Sequence, residues 1–488
     1  MRQRFSALLL LLTVAVIAFA GGYLVRDQQP VMPSRSSPIR SMDEARTALE
    51  RNLAREGDQQ AASIGSFMTL VSSHDRASLF EAVTTVEQEW HPGSAVMILE
   101  CIPLIRSNAV REAAIDLLQR QTGQQFDGDS NAWYRWIWQQ DYTPHPEYPK
   151  FKSALYSRLD SRFQEYFASA DMASIRLDEV RWGGVRRDGI PPLKDPKTLP
   201  AVDAGYLADS DVVFGVEING EARAYPKRIL AWHEMVKDTL GGESINGVYC
   251  TLCGSMIVYQ TKVGDTHYEL GTSGFLYRSN KLMYDHATKS LWSTLDGEPV
   301  VGPLVGKGIK LKPLHVVTTN WGQWRQEHPA TSVLSLETGH RRDYGEGVAY
   351  HDYFATDELM FEVPKRDARL KNKDEVLAIR LDNVTDERLA ISVGFLAKHR
   401  VYQDRIGETE FVVLTDDGGA NRVYESKGVQ FTELLDSRVV RDQDGSEWEV
   451  TESSLSKLGA EMRLSRLPAH RAFWFGWYAA FPATRLVK

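Results

Sequence analysis

The sequence predicts an α+β chain in which an N-terminal helical-repeat-like segment precedes a predominantly β domain built on an internal duplication. Three observations carry that expectation. From Ser41 to about residue 168 apolar residues recur at helical spacing between short polar breaks. After about residue 200 the text changes to β-branched and alternating runs split by glycines. Within that second part, Asp238-Thr239-Leu240-Gly241-Gly242-Glu243 returns in form as Asp404-Arg405-Ile406-Gly407-Glu408.

Composition sets the outer limits. With 488 residues, 43% hydrophobic and 25% charged, the chain has the length of two or three domains and the make-up of a folded globular protein. A net charge of −8 without any Lys/Arg-rich block argues against a nucleic-acid partner. Arg2 and Arg4 precede the uncharged run Ser6 to Val25, about long enough to cross a bilayer. Residues 1–27 therefore read as a signal anchor, because apolar residues continue through Tyr23-Leu24-Val25, or as a signal peptide cleaved after Ala18-Phe19-Ala20. The first reading places a membrane contact at this segment, with the bulk of the chain periplasmic or otherwise outside the cytoplasm. The second gives a secreted chain. Residues 28–40, with three prolines and three serines among them, read as a linker.

The helical segment, 41–175, begins where Ser41 can cap and Glu44, Ala45, Leu49 and Leu53 follow. Further helices are expected at about Ala61 to Val71, Arg76 to Glu89, Ser94 to Ile105 and Ala109 to Gln121. They are broken at Ser-Ser-His-Asp, His-Pro-Gly and Arg-Ser-Asn. The block Phe151 to Ala168 reads as one more amphipathic helix. Short helices with short breaks suggest stacked hairpins, and the run from Ala109 through Trp133-Tyr134-Arg135-Trp136-Ile137-Trp138 resembles the closing unit of HEAT-type repeats, a surface for a protein partner. Trp133, Trp136 and Trp138 at helical spacing read as core. So does Cys101, a small hydrophobe beside Met97-Ile98-Leu99.

The β part begins beyond Asp188-Gly189-Ile190-Pro191-Pro192. Val212 to Ile218, Asn219-Gly220, then Glu221 to Tyr225 predict a hairpin with a type I′ turn, since Asn-Gly supplies the positive φ. Val213 to Ile218 is answered by Val376 to Leu381. Pairing Gly242 with Gly407 without gaps then sets Gly254 on Gly419 and Tyr259 on Tyr424. The duplicated units run roughly 209–260 and 372–425. In the second, Cys250 and Cys253 fall on Thr415 and Gly418, so the thiols belong to a site rather than to the shared scaffold.

That site is the centre of the functional reading. Cys250-Thr251-Leu252-Cys253-Gly254 holds two of the three cysteines. Met256-Ile257-Val258-Tyr259 follows as strand, whereas a thioredoxin-type pair sits at a helix N-terminus, where the dipole lowers a thiol pKa. A knuckle between strands would aim both sulfurs at one metal ion but supplies only two of the four ligands a structural zinc needs. Three readings stay open. Cys250 and Cys253 act as redox or catalytic thiols tuned by His233 or His286; or they join His286 around zinc or copper; or they form an inert local disulfide, with no cofactor. Trp232-His233-Glu234 offers an imidazole and a carboxylate, and Asp285 adjoins His286. The loop expected at Gly271-Thr272-Ser273-Gly274-Phe275-Leu276-Tyr277-Arg278-Ser279-Asn280 would line a pocket with Trp292 and Arg342. The aromatic close Phe473-Trp474-Phe475-Gly476-Trp477 reads as a buried strand.

Taken together, these blocks resemble the DUF3179 family. The likeness runs through Trp232-His233-Glu234, Tyr249 to Gly254, Gly271 to Tyr277, Ser279-Asn280, Met283-Tyr284-Asp285, Ser290-Leu291-Trp292, Gly302 to Gly306, His328-Pro329, Arg342-Asp343-Tyr344 and Phe473-Trp474-Phe475, across about 180–485. Thr251 stands where the family pattern has proline, and Ser255 where it has threonine. The resemblance implies no established activity. Some relatives resemble selenoproteins, which implies redox use of that position.

Overall fold

The computed structural model describes residues 62–168, 172–381 and 387–488. The expected first helix after Ser41 lies outside them, as does the run Ser6 to Val25. No helix among the described residues is long and apolar enough to cross a membrane. That corrects the expected membrane-anchored placement, which gains no span from the structure.

Helices occupy Ile64–Ser72, Arg76–Gln88, Ser94–Cys101, Asn108–Thr122, Ser130–Ile137, Tyr148–Ser157 and Gln164–Phe167. Their starts follow from capping: Asp75 accepts from the Ser78 amide, Ser107 from Val110, and Asp129 from Asn131 and Ala132. Gly123, at φ +72°, ends the fourth. The single helix expected over Phe151 to Ala168 is instead two, because Asp160 turns to accept the Arg162 amide and starts a new turn there. The inner faces share one core with a sheet of the β domain: Tyr156, Phe163, Tyr166 and Phe167 all surround Phe275 at ring distances of 4.9–6.0 Å. Trp133 and Trp138 are buried, Trp136 is half-buried, and Cys101 is fully buried.

The first copy of the duplication opens with the hairpin β1 (Val212–Ile218) and β2 (Glu221–Pro226), whose Asn219 and Gly220 take φ of +51° and +83° as the sequence requires. Helix α1 (Lys227–His233) follows, then the meander β3 (Met235–Leu240), β4 (Glu243–Cys250), β5 (Ser255–Gln260). A second meander comes next, β6 (Leu270–Tyr277), β7 (Asn280–Asp285), β8 (Leu291–Ser293), β9 (Pro299–Val301). The copy closes with β10 (Val317–Asn320), α2 (Trp321–Glu327) and β11 (Ser332–Leu334). Strand β10 lies antiparallel to β1, and β11 parallel to β2.

After residues 335–374, which carry one short helix, α3 (His351–Phe354), the same order begins again. It runs β12 (Glu375–Ile379), β13 (Leu389–Ser392), α4 (Val393–Leu396), then β14 (Val401–Ile406), β15 (Thr409–Thr415), β16 (Asn421–Glu425). The second meander is β17 (Phe431–Asp436), β18 (Val439–Asp442), β19 (Glu447–Val450), β20 (Ser454–Lys457), and the close is β21 (Ala469–Phe473), α5 (Trp474–Ala480), β22 (Arg485–Val487). Again the closing strands flank the opening hairpin, one antiparallel and one parallel. The duplication therefore extends well past residues 260 and 425, through Leu334 and Val487.

Matched side chains confirm the extension. Trp321-x-x-Trp324 with Pro329-Ala330-Thr331 is matched by Trp474-x-x-Trp477 with Pro482-Ala483-Thr484. The second indole of each donates to the threonine hydroxyl, at 2.9 and 3.0 Å. Likewise Trp292 donates to Asp285 at 3.2 Å, and Trp448 to Asp442 at 2.9 Å. The aromatic close is thus helix α5, not a strand. Only Phe473 is extended, because an apolar run this short carries no decisive period.

Candidate functional site: a buried dithiol at the meeting of the two copies

Strand β4 ends at Cys250 and β5 begins at Ser255, its register partner; between them the Cys253 amide donates to the Cys250 carbonyl at 3.1 Å, closing a four-residue turn. Gly254 takes φ +60°, and a β-carbon there would come within 2.8 Å of the Phe473 ring. Turn geometry and close packing both demand glycine. Gly254→Ala is expected to cost about 2–4 kcal/mol, the left-handed backbone and the overpacking together. The midpoint of urea unfolding at unchanged slope measures it; a variant as stable as the parent would contradict this geometry.

The second copy completes the first copy's site. The Phe473 amide, at the end of β21, donates to the Cys253 carbonyl at 2.7 Å. Gly476 of α5 lies so close that a β-carbon on it would sit 3.2 Å from Cys253 Cβ and 3.4 Å from its sulfur. Residues 335–374 supply the roof: Tyr353 donates to the Leu252 carbonyl at 2.8 Å, and Tyr350, Phe354, Phe361 and Val363 pack on the same apolar cluster as both cysteines.

Cys250 and Cys253 are unbridged, 3% and 0% exposed. The Cys253 thiol donates to the Ser279 carbonyl at 3.1 Å. Burial and the Glu234 charge push the Cys250 thiol up. Against them, the neighbouring Cys253 side chain and the main-chain N–H groups of Lys281 and Cys253 favour its charged form, and the balance holds it below the usual thiol value. Cys253 is driven well above that value, by burial first and then by Cys250 itself.

The other expected site residues divide into neighbours and non-neighbours. Glu234 is a neighbour, its carboxylate 2.5 Å from Lys281 Nζ and accepting from Tyr350 at 3.0 Å. Asn280 is another, donating to the Gly476 carbonyl at 3.0 Å. His233 is engaged elsewhere, Nδ1 2.8 Å from the Pro191 carbonyl and Nε2 2.6 Å from the Tyr344 hydroxyl. His286 follows Asp285 at the far end of β7, about 20 Å along the strand from Asn280. Asp285 accepts the amides of Ala287, Thr288 and Ser290 and the Trp292 indole, and so shapes a turn. Gly271 to Tyr277 is not a loop but the bulged strand β6; Thr272 donates to Ile190 and Ser273 to Leu282, leaving neither hydroxyl for an anion. Tyr277 pairs with Val180 on that strand. Arg342 stacks 5.4 Å over Trp232.

Burial holds His233 down to about 4 from 6.5. The unfolded chain therefore takes up a proton there that the folded chain refuses. Stability contributed by neutral His233 is complete above about pH 6.5 and lost towards about pH 4, on the order of 1 kcal/mol per pH unit. Unfolding free energies at neutral and mildly acidic pH should show a shallower acid loss in His233→Gln than in the parent; equal slopes would refute the assignment.

A metal at the turn would need donors besides two sulfurs. Among the described residues, the one cluster of three or more His, Cys, Asp or Glu groups with metal-ligand spacing is Glu327, His328 and Glu452, and it excludes both cysteines. Sequence reasoning missed Lys281, Tyr350, Tyr353 and Gly476. The last had a signal, the Trp-x-x-Trp…Pro-Ala-Thr repeat, which identifies α5 as a paired element.

Fold and site together define a duplicated β protein with one buried dithiol where the copies meet. Residues 187–484 match the family model described as a protein of unknown function, DUF3179, and the chain belongs to that family. No curated protein and no solved structure matches the chain.

Proposed function

We propose that the protein is a thiol-dependent redox protein in which Cys250 and Cys253 alternate between dithiol and disulfide. The observation that carries this reading is the geometry of the pair: two unbridged cysteines stand at the first and last positions of a four-residue turn, closed by the Cys253 amide on the Cys250 carbonyl at 3.1 Å, which brings their α-carbons within the span a disulfide requires. The Cys250 thiolate attacks one sulfur of an oxidised partner's disulfide and expels the other as a thiolate. Cys253 then loses its proton and attacks the Cys250 sulfur, closing the internal disulfide and releasing the partner's second thiol. Two electrons and two protons pass to the partner, and its disulfide is reduced. Because both sulfurs are buried in one apolar cluster with Tyr350, Tyr353, Phe354, Phe361 and Val363, exchange requires that packing to open.

Incubation of the reduced protein with a small disulfide tests the order of attack. Cys253→Ser should accumulate a mixed disulfide on Cys250, whereas Cys250→Ser should not form one on Cys253. Equal trapping in both variants would remove the assigned roles.

A further inference from the structure

We propose that Glu234, paired with Lys281, is the positioning residue that sets how readily Cys250 gives up its proton. The inference rests on the redox use of Cys250 proposed above. Both partners of the ion pair adjoin the thiol turn through the main chain: the Glu234 carbonyl accepts the Tyr249 amide at 2.9 Å, one residue before Cys250, and the Ser279 carbonyl, two residues before Lys281, accepts the Cys253 thiol at 3.1 Å. Their side chains meet at 2.5 Å with 10% and 6% exposure, so water screens the pair little. Glu234 also holds a left-handed backbone, φ +55°, at the end of α1, where glycine or asparagine is the usual residue. A carboxylate kept at a strained position, beside a thiol pair and bonded to the roof through Tyr350, points to a role beyond packing.

The sign of its effect follows from charge. Glu234 disfavours a thiolate on Cys250, and Lys281 and the Tyr350 hydroxyl moderate that charge. The other titratable groups facing the pair are Cys253, Tyr249 and Tyr353, with Glu375 acting on Tyr249. Glu234→Gln removes the negative charge and leaves Lys281 uncompensated, so both changes favour the thiolate. Tyr350→Phe removes a donor from the carboxylate and acts in the opposite direction.

The experiment alkylates the reduced full-length protein with iodoacetamide across the thiol titration range and follows the Cys250 peptide by mass. At iodoacetamide concentrations where the rate stays first order in reagent, roof opening does not limit it and the midpoint of that profile reports the thiol. Glu234→Gln should lower the midpoint by about one pH unit or more, and Tyr350→Phe should raise it by a few tenths. If Glu234→Gln does not fold, Tyr350→Phe alone decides, and an unmoved or lowered midpoint there overturns the inference. A folded Glu234→Gln with the parent's midpoint overturns it equally. A moved midpoint in a protein that never forms the disulfide upholds this role for Glu234 while the redox reading fails. A pair that cycles normally with an unmoved midpoint does the reverse.

Discussion

Arg422→Ala is expected to cost about 3–5 kcal/mol, the largest loss of stability any single substitution in the second copy should produce. Arg422 is 4% exposed and meets three carboxylates: Glu327 at 2.7 Å, Asp416 at 2.5 Å and Glu452 at 2.6 Å. Glu452 has a second partner in Arg466, and together the two guanidinium groups hold it well below the usual carboxylate range against the push of burial. Glu327 is less well compensated, and burial raises it. Removal of Arg422 leaves buried negative charge facing negative charge. The cost should shrink as pH falls, because protons can then neutralise the carboxylates the guanidinium no longer serves. Urea unfolding at neutral and acid pH measures both effects. A loss under about 1 kcal/mol would show that the cluster relaxes to water.

This cluster stands where the first copy has its thiols. The Tyr249 amide donates to the Glu234 carbonyl at 2.9 Å, and the Thr415 amide to the Arg400 carbonyl at 2.8 Å, so Tyr249 corresponds to Thr415 and Cys250 to Asp416. The gap-free pairing that set Cys250 on Thr415 is off by one. Four residues separate Cys250 from Ser255, but three separate Asp416 from Ala420, and the shorter turn restores the Gly254 to Gly419 match. One turn carries sulfur in an apolar cluster; its counterpart carries a carboxylate answered by arginine.

Cys250→Ser should abolish thiol exchange while the melting temperature falls by no more than a few degrees. Serine keeps the shape, and the turn retains its hydrogen bond because that bond is main-chain, from the Cys253 amide to the carbonyl of residue 250. Burying a hydroxyl in place of a thiol costs about 1 kcal/mol. What disappears is the nucleophile, since the hydroxyl stays protonated and Cys253 alone can neither resolve nor close a disulfide. Exchange rate against a small disulfide and the melting curve together decide. Retained exchange would move the chemistry off Cys250, and an unfolded variant would make the cysteine structural.

Much of this architecture is legible in the sequence where local chemistry decides it. Asp75, Ser107 and Gly123 mark helix ends by capping, and Asn219-Gly220 fixes a hairpin, because those choices depend on a few adjacent atoms. The thiol pair was legible for the same reason. The rest of the site was not, because it is assembled from afar: Gly476 lies more than two hundred residues from Cys253, Tyr350 about one hundred from Glu234, and only the folded chain joins them. His233 and His286 show the converse. Each sits beside a carboxylate in sequence, yet the strand and helix that carry them direct the imidazoles elsewhere. The Gly271 to Asn280 stretch misled because small hydroxyl residues favour both loops and the bulged strand it forms.

The central claim, that Cys250 and Cys253 form one redox couple, is tested most directly by equilibrating the full-length protein in glutathione buffers of graded potential. Free thiols are then alkylated under denaturing conditions and each cysteine peptide is counted by mass. The account predicts one two-electron transition in which Cys250 and Cys253 lose their thiols together, while buried Cys101 stays reduced throughout. A pair that remains dithiol in the most oxidising buffer, or whose members are modified separately, would contradict it.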